Sequence, residues 1–245
     1  VTGGSVLVVL GGGLGVALRN IFDNLAVADH ADALMVLFAS GGYLTASLLA
    51  LRLGRKEIGP LPHEVKEASL KEGLIEMREG FAFLRTHQDA IRGILATAVQ
   101  RGGITALTLT ALLLERNTFN SPDNPEAGLK GFGIVLTIAG IGITLGALTA
   151  PYGVARFGRH RWIRWSLLAS AFGPLILVVW QTEIALALTG FFVALCGQNV
   201  KVTNDALVQS KIDDYYRGRV FAVYDVFVNG AIVSGGLIAA LMLPT

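Results

Sequence analysis

Long apolar stretches alternate with short polar segments along the whole chain. Seven of the stretches are apolar over about 20 residues, enough to cross a hydrocarbon core of roughly 30 Å as helices. They lie at 1–20, 32–53, 90–114, 129–152, 162–181, 183–210 and 219–243. A segment in lipid must satisfy its backbone hydrogen bonds internally, and a helix does so. The pattern therefore predicts an all-α fold, a polytopic transmembrane helical bundle.

The segment 54–89 separates the first two apolar stretches from the other five, and part of it has helical periodicity. Apolar residues recur there at intervals of three and four: Leu70, Leu74, Met77, Phe81 and Leu84. This spacing predicts an amphipathic helix. It is either a strut that couples two helical bundles at the membrane surface or a linker whose apolar face only packs. The second interpretation is preferred.

Lys and Arg residues are distributed unevenly between the connections. They are absent or nearly absent from 21–31, 115–128 and 181–183, and they are abundant in 54–89, 153–164 and 211–219. Because cytoplasmic loops carry the excess of Lys and Arg, the second set is predicted to be cytoplasmic, with Val1 inside and Thr245 outside. Arg19 fits this orientation poorly. The outer segment 115–128 is rich in turn-forming residues and is predicted to be a surface loop.

The composition agrees with a multi-pass protein of the cell membrane and argues against other classes. Of the 245 residues, 53% are hydrophobic and 16% are charged, against about 25% charged in soluble domains. The single cysteine, Cys196, permits no intrachain disulfide, and the histidines lack metal-ligand spacing. The net charge of +2 is not gathered in a patch, so no nucleic-acid partner is expected. No catalytic triad or phosphate-binding loop is apparent, so no enzymatic activity, cofactor or metal is expected.

Two motifs resemble segments of one transporter family. Residues 213–221 read DDYYRGRVF, which is similar to the segment before the eleventh helix of major facilitator superfamily (MFS) transporters. The similarity is to the branch that contains the enterobactin exporter and the macrolide-efflux proteins. Residues 79–85 read EGFAFLR, which resembles the linker that enters the seventh helix in that branch.

The resemblance implies a major facilitator fold of which the chain holds about seven of twelve helices. The last two helices of the N-terminal bundle would be 1–53, the cytoplasmic linker 54–89, and helices seven to eleven 90–245, without the last helix. It also implies a secondary transporter that moves a small-molecule substrate across the cytoplasmic membrane by alternating access, as an exporter driven by a proton gradient. The expected partners are the lipid bilayer, the substrate and a coupling proton.

Two further segments resemble family motifs but depart from them. Residues 156–161, RFGRHR, are similar to the family's Asp-Arg-x-Gly-Arg-Arg loop, with Ala155 in place of the acidic residue and Pro151 in place of a glycine. Residues 11–16, GGGLGV, are similar to the Gly-Pro-x-x-Gly-Gly signature of antiporters, without its proline and final glycine.

Polar side chains within the apolar stretches are the candidate functional residues, because a charge at membrane depth costs about 2.5 kcal/mol or more. The predicted substrate and proton pathway consists of Gln100, Arg101, Asn199, Lys201, Asn204, Asp205, Asp225 and Asn229. Lys201 and Asp225 are expected to face one another or a shared aqueous cavity. Lys201 and Asp205, at i and i+4, form the alternative pair. All of these residues could instead tie helices together.

A second set of candidates lies at the predicted cytoplasmic connections: Arg156, Gly158, Arg159, Arg161, Arg217, Gly218 and Arg219. Arginines at this level can bind anionic lipid headgroups, and the resemblance implies that the corresponding loops help to close an inner gate. Anchoring is the preferred interpretation. Within 129–152, Gly142 and Gly146 have a spacing that favours close helix packing.

Three other classes of protein are alternatives to the transporter. A seven-helix receptor would place the amino terminus outside, opposite to the predicted orientation. A membrane subunit of another transport complex, such as an ATP-driven permease, would have a similar composition. A non-transporting truncated remnant would lack most of one bundle.

Overall fold

Helices form every regular element that the structure describes. The computed structural model describes residues 31–53 and 69–243, together with positions 11, 14, 15, 18 and 21. The helices are α1 (Ala31–Ala50), α2 (Leu70–Thr86), α3 (Gln88–Leu114), α4 (Pro125–Phe157), α5 (Arg159–Val179), α6 (Glu183–Lys211) and α7 (Asp214–Met242), with a π-helix at Glu115–Phe119. The predicted all-α fold is confirmed.

Five of the described helices are long and apolar enough to cross a membrane, namely α1, α4, α5, α6 and α7. The predicted third span also forms a helix, α3, whose 27 residues extend over about 40 Å. It is not among the five, because Gln100 and Arg101 interrupt its apolar run. The predicted span 1–20 lies outside the described residues apart from isolated positions. The multi-pass helical architecture is confirmed.

The helices extend beyond the predicted spans at the connections rich in Lys and Arg. Only Gly158 separates α4 from α5, and only Ile212 and Asp213 separate α6 from α7. Gly158 has φ +77°, a backbone conformation that favours glycine, and it allows one helix to end where the next begins. Long basic side chains reach water from the end of a helix, so the helices need not stop where the apolar stretches stop.

The chain divides by contacts into two units. One comprises residues 10–74, which include α1 and the beginning of α2. The side chains of α1 from Val36 onward are exposed. The other unit includes the remainder of α2 and the helices α3 to α7.

Helix α6 is the central element of the larger unit and packs against α3, α4 and α5. The contact with α4 depends on two glycines. A Cβ atom at Gly142 would overlap the carbonyl of Phe191, and one at Gly146 would overlap the carbonyl of Leu195. The close packing predicted for Gly142 and Gly146 is confirmed.

Helix α2 is the predicted amphipathic helix, and its second half joins the core of the larger unit. Leu84 is buried together with Ile94 of α3, Val208 of α6 and Val220 of α7. Leu74 is 64% exposed, so the apolar stripe of the sequence is buried at its carboxyl end and exposed near its start.

Candidate functional site

Buried polar side chains cluster where α6 meets α3 and α7. Thr97 and Gln100 of α3, Asn204 and Asp205 of α6 and Tyr224 of α7 are all buried. Gln100 lies about 18 Å from the start of α3, near its middle, at a rise of 1.5 Å per residue. A buried polar group is costly unless it is hydrogen-bonded, so the partners of these side chains determine what the cluster can do.

The Asp205 carboxylate accepts hydrogen bonds from two different helices. Lys201 Nζ lies 2.6 Å from Asp205 Oδ2, and the Tyr224 hydroxyl donates to Asp205 Oδ1 at 3.0 Å. The Lys201 side chain is 38% exposed, whereas that of Asp205 is 9% exposed. The arrangement neutralises one charge by the other and ties α6 to α7. Of the two pairings considered from the sequence, the pair at i and i+4 is the one that forms.

Asp225 does not pair directly with Lys201 in the described part of the chain. It follows Tyr224, which points at α6, and one residue rotates about 100° around a helix. Asp225 is therefore exposed on another face of α7, and the direct pairing predicted with Lys201 is wrong. Asn229 is exposed on the same face and donates from Nδ2 to the Asp225 carbonyl at 2.8 Å.

Asn204 is fully buried between α6 and α3. Its Nδ2 donates to Thr97 Oγ1 at 3.2 Å, and the Thr97 hydroxyl donates to the Gly93 carbonyl at 3.1 Å. Gly93 makes room for the amide, because a Cβ atom there would overlap Asn204 Oδ1. That Oδ1 atom is buried and has no hydrogen-bond donor among the described residues.

Gln100 and Arg101 connect α3 to α6 at a second level. Gln100 Nε2 donates to the Val193 carbonyl at 3.4 Å, and the absence of a side chain at Gly197 makes room for the Gln100 amide. Arg101 Nη2 donates to Gln198 Oε1 at 3.3 Å. Gln100 Oε1 is a second buried acceptor without a donor in the described portion.

Asn199 points toward the opposite side of α6. Its Oδ1 accepts from Trp162 Nε1 of α5 at 3.1 Å, and its Nδ2 donates to Thr149 Oγ1 of α4 at 3.3 Å. The predicted pathway residues therefore fall into three groups. The first group lies where α6 meets α3 and α7 and comprises Gln100, Arg101, Lys201, Asn204 and Asp205. The second is Asn199, which contacts α4 and α5. The third is Asp225 with Asn229, on the exposed face of α7.

Thr97 and Tyr224 are members of the buried cluster that sequence reasoning missed. A threonine or a tyrosine in an apolar helix carries no charge, so nothing in the linear sequence distinguishes these two residues from others of their type.

Arg219 is the centre of a contact between α7 and α2. Its guanidinium lies 3.0 Å from a Glu79 carboxylate oxygen and 3.5 Å from a Glu76 oxygen, and it lies 4.7 Å from the ring centroid of Tyr215. Gly80 allows the two helices to approach, because a Cβ atom there would be 2.8 Å from the Arg219 carbonyl. The segments 79–85 and 213–221, which carry the family resemblance, are therefore in contact.

The other residues of the basic set have separate surroundings. Arg217 pairs with Asp214 of its own helix at 2.5 Å, and Arg159 Nη1 donates to Ser210 Oγ of α6 at 2.7 Å. Arg156, Arg161 and Gly218 are exposed. Arg159 thus joins α5 to α6, and a role of these residues in gating stays a prediction.

Glu115 is a buried carboxyl group outside the predicted spans. It is 2% exposed, and Asn120 Nδ2 donates to its carbonyl at 2.9 Å and to its Oε2 at 3.3 Å. Burial, followed by the negative charge of Glu183, raises the pKa of the Glu115 carboxyl.

The prediction of an ordinary surface loop at 115–128 is wrong at both ends, since a π-helix fills 115–119 and α4 begins at Pro125.

Comparisons with known proteins found no matching family model and no significantly matching solved structure. An uncharacterized MFS-type transporter of Mycobacterium bovis and one of Mycobacterium tuberculosis are each 23% identical over 222 residues, which is 90% of this chain and 49% of each relative. A Na(+), Li(+), K(+)/H(+) antiporter of Planococcus maritimus is 30% identical over 122 residues, which is 48% of this chain and 29% of that protein.

The chain spans about half the length of the mycobacterial relatives that it matches. These similarities agree with the helical architecture and with the several helices that are long and apolar enough to cross a membrane. They do not confirm the resemblance to the enterobactin-exporter branch in particular. The chain is an all-α, multi-pass membrane protein that is similar to MFS-type transporters over most of its length.

Proposed function

We propose that the chain is part of a secondary active transporter that moves a small solute across the cytoplasmic membrane by alternating access. Transport is outward and is driven by a proton gradient. The observation that carries this proposal is the carboxylate of Asp205, buried in an apolar helix yet bonded to a lysine that reaches the surface. An intramembrane charge is costly, and a group that only held helices together would not need one.

Asp205 is suited to bind and release a proton or a cation. Its two oxygens are held by Lys201 and by Tyr224. Protonation of the carboxylate would break the ion pair and leave the ammonium of Lys201, which is partly exposed, free to turn toward water. One proton would thereby change the contact between α6 and α7.

The polar face of α7 supports an aqueous route beside this helix. Asp225 and Asn229 are exposed on the face that does not contact α6. Both would be unfavourable against lipid, so this face lines the path of the solute. Gln100, Arg101, Asn204 and Asp205 lie deeper and respond to the coupling ion.

The antiporter among the relatives suggests which ions to test. Its name gives Na(+), Li(+) and K(+) as the ions exchanged for H(+), and monovalent cation–proton exchange is therefore the first activity to measure for this protein.

The contact of Arg219 with Glu76 and Glu79 would lie at the inner side of the membrane in this proposal. It would break when α2 separates from α7 in the inward-facing state.

The test uses everted membrane vesicles that contain the protein and a dye that reports the pH gradient. Addition of Na(+), Li(+) or K(+) should collapse a preformed gradient, and Asp205→Asn should reduce the rate at least about tenfold, because the amide cannot exchange a proton. The matched control is Asp123→Asn, an exposed carboxylate outside the predicted spans, which should leave the rate unchanged.

Tyr224→Phe serves as a second variant in case Asp205→Asn is not inserted into the membrane. It removes one donor to Asp205 and should shift the pH at which exchange is half-maximal. If Asp205→Asn reaches the membrane at normal levels and keeps the wild-type rate and pH profile, Asp205 is a structural tie and the coupling role is wrong.

A further inference from the structure

A cleft lies at the start of α5, beside its junction with α4. Its volume is about 490 Å³, and it is lined by Phe157, Arg161, Arg164, Trp165 and Leu168. None of these residues belongs to the buried polar cluster around Asp205. In the proposed orientation this end of α5 lies at the cytoplasmic boundary of the membrane.

The lining residues form one continuous face of the helix. Positions 161, 164, 165 and 168 are separated by three, one and three residues, so they lie on one side of α5. All are exposed, with Trp165 at 65% and Leu168 at 58%. The buried residues Ile163 and Ser166 lie on the other side. The face passes from two arginines through an indole to an aliphatic side chain.

The cleft carries positive charge without a protein counter-charge. No acidic residue lines it, and the first turn of α5 contains none. Within the described ranges, neither Arg161 nor Arg164 forms an ion pair with a carboxylate. Arg159, two residues before Arg161, is engaged with Ser210. Two guanidinium groups are thus available to an anion from outside the protein.

We propose that this cleft binds the headgroup of an anionic phospholipid of the inner leaflet. Arg161 and Arg164 bind the phosphate oxygens, since guanidinium groups match phosphate geometry. Trp165 lies at the headgroup level, where tryptophan is enriched in membrane proteins, and Leu168 contacts the acyl chain. The apolar part of the lining favours a phospholipid over free phosphate, because a free ion would leave Trp165 and Leu168 without a partner.

The test is native mass spectrometry of the detergent-purified protein titrated with phosphatidylglycerol or phosphatidylcholine. We expect one phosphatidylglycerol to be retained preferentially. Basic residues near a membrane surface each contribute about 1 kcal/mol to the binding of anionic lipid, so Arg161→Gln together with Arg164→Gln should weaken retention roughly 30-fold. The control, Arg78→Gln with Arg116→Gln, removes the same charge at exposed positions elsewhere and should change nothing.

Three results would overturn the proposal. The first is equal retention of both lipids, and the second is an equal loss of retention in the control variant. The third is full displacement of phosphatidylglycerol by millimolar inorganic phosphate, which would make the cleft a site for a free anion. Only the assignment of the lipid to the inner leaflet rests on the proposed orientation of the transporter. Lipid retention in detergent does not depend on transport, so either proposal can fail while the other holds.

Discussion

Asp205 lies in an apolar helix with two stabilising contacts of different origin. Lys201 is four residues earlier on the same helix, so this neutralising partner is present as soon as α6 forms. Tyr224 comes from α7 and can contact the carboxylate only when the two helices pack. The ion pair therefore belongs to the helix, whereas the hydrogen bond reports the packing of α6 on α7.

Glu115 provides a prediction about pH. Its folded-state pKa is raised above the ordinary value of 4.5 by burial and by Glu183. The folded protein therefore holds this proton at pH values where the unfolded chain releases it, and stability decreases as the pH rises from about 4.5 through the folded pKa. Glu115→Gln should remove this decrease and raise the midpoint of thermal unfolding at neutral pH, measured in detergent between pH 4.5 and 8.

The control for this prediction is Glu126→Gln, which changes an exposed carboxylate in the first turn of α4. It should leave the dependence of the unfolding midpoint on pH as in the wild type. A Glu115→Gln variant whose stability still decreases over the same pH range would show that another group is responsible.

At the scale of elements, the contact between α4 and α6 depends on two positions that lack side chains. Gly142 and Gly146 are one helical turn apart, and both lie against backbone carbonyls of α6. Backbone cannot move aside as a side chain can, so a methyl group at either position must separate the helices. This is the physical meaning of the small-residue spacing that the sequence displays.

Gly142→Ala or Gly146→Ala should lower the free energy of unfolding by about 1 to 3 kcal/mol, because overpacking of a close contact forces the backbone apart. The measurement is unfolding in mixed detergent micelles with increasing denaturing detergent. Gly133→Ala, on the same helix, is the matched control, since nothing lies within 4 Å of its Cβ position. It should be neutral or stabilising by up to about 1 kcal/mol, and a loss equal to that of Gly142→Ala would refute the packing explanation.

The short junctions between helices were not apparent from hydropathy. The segments 153–164 and 211–219 are rich in arginine, and they read as loops because a loop is polar. In the structure their basic residues lie mostly on the ends of helices, with Gly158 as the one residue between α4 and α5. Hydropathy marks where the apolar environment ends, whereas helices continue for as long as their hydrogen bonds are satisfied.

At the scale of the molecule, the orientation predicted from Lys and Arg can be tested by cysteine labelling. In a Cys196→Ala background, Ser121→Cys should react with an impermeant reagent in intact cells. His160→Cys should react only after the cells are opened, because the positive segments stay in the cytoplasm. Both positions are exposed, so access depends on the side of the membrane alone. Reaction of both cysteines from one side would reject the orientation and with it the transporter proposal.

The two segments that resemble MFS transporters lie far apart in the sequence and are in contact in the structure. Phe83 of the first stacks on Tyr216 of the second with ring centroids 4.3 Å apart, next to the pairing of Arg219 with Glu79. Both glutamates of these ion pairs are more than half exposed, so the pairs contribute little by themselves. The apolar cluster around Leu84 beneath them provides the main attachment of α2 to this unit.

Most of the fold could be predicted, and less of the site. The apolar run lengths indicate α1 and the helices α3 to α7, since crossing the lipid requires about 20 apolar residues, and the spacing of apolar residues indicates α2. The i and i+4 spacing allows the pair of Lys201 and Asp205, which the sequence offered as the alternative to Lys201 and Asp225. Asn199 bonds to Thr149 and Trp162. These partners could not be predicted, because they depend on which face of α6 turns toward each neighbouring helix.

By itself the sequence determined the helices and their small-residue contact positions, and it offered the local ion pair as one of two pairings, because each depends on spacing within a few turns of one helix. Only the tertiary structure decided that Tyr224 contacts Asp205 while Asp225 does not pair with Lys201, that Glu115 is buried, and that two distant motifs form one contact. Adjacent residues of a helix are rotated by about 100°, so the orientation of a helix about its own axis decides which side chain faces a neighbour, and packing sets that orientation.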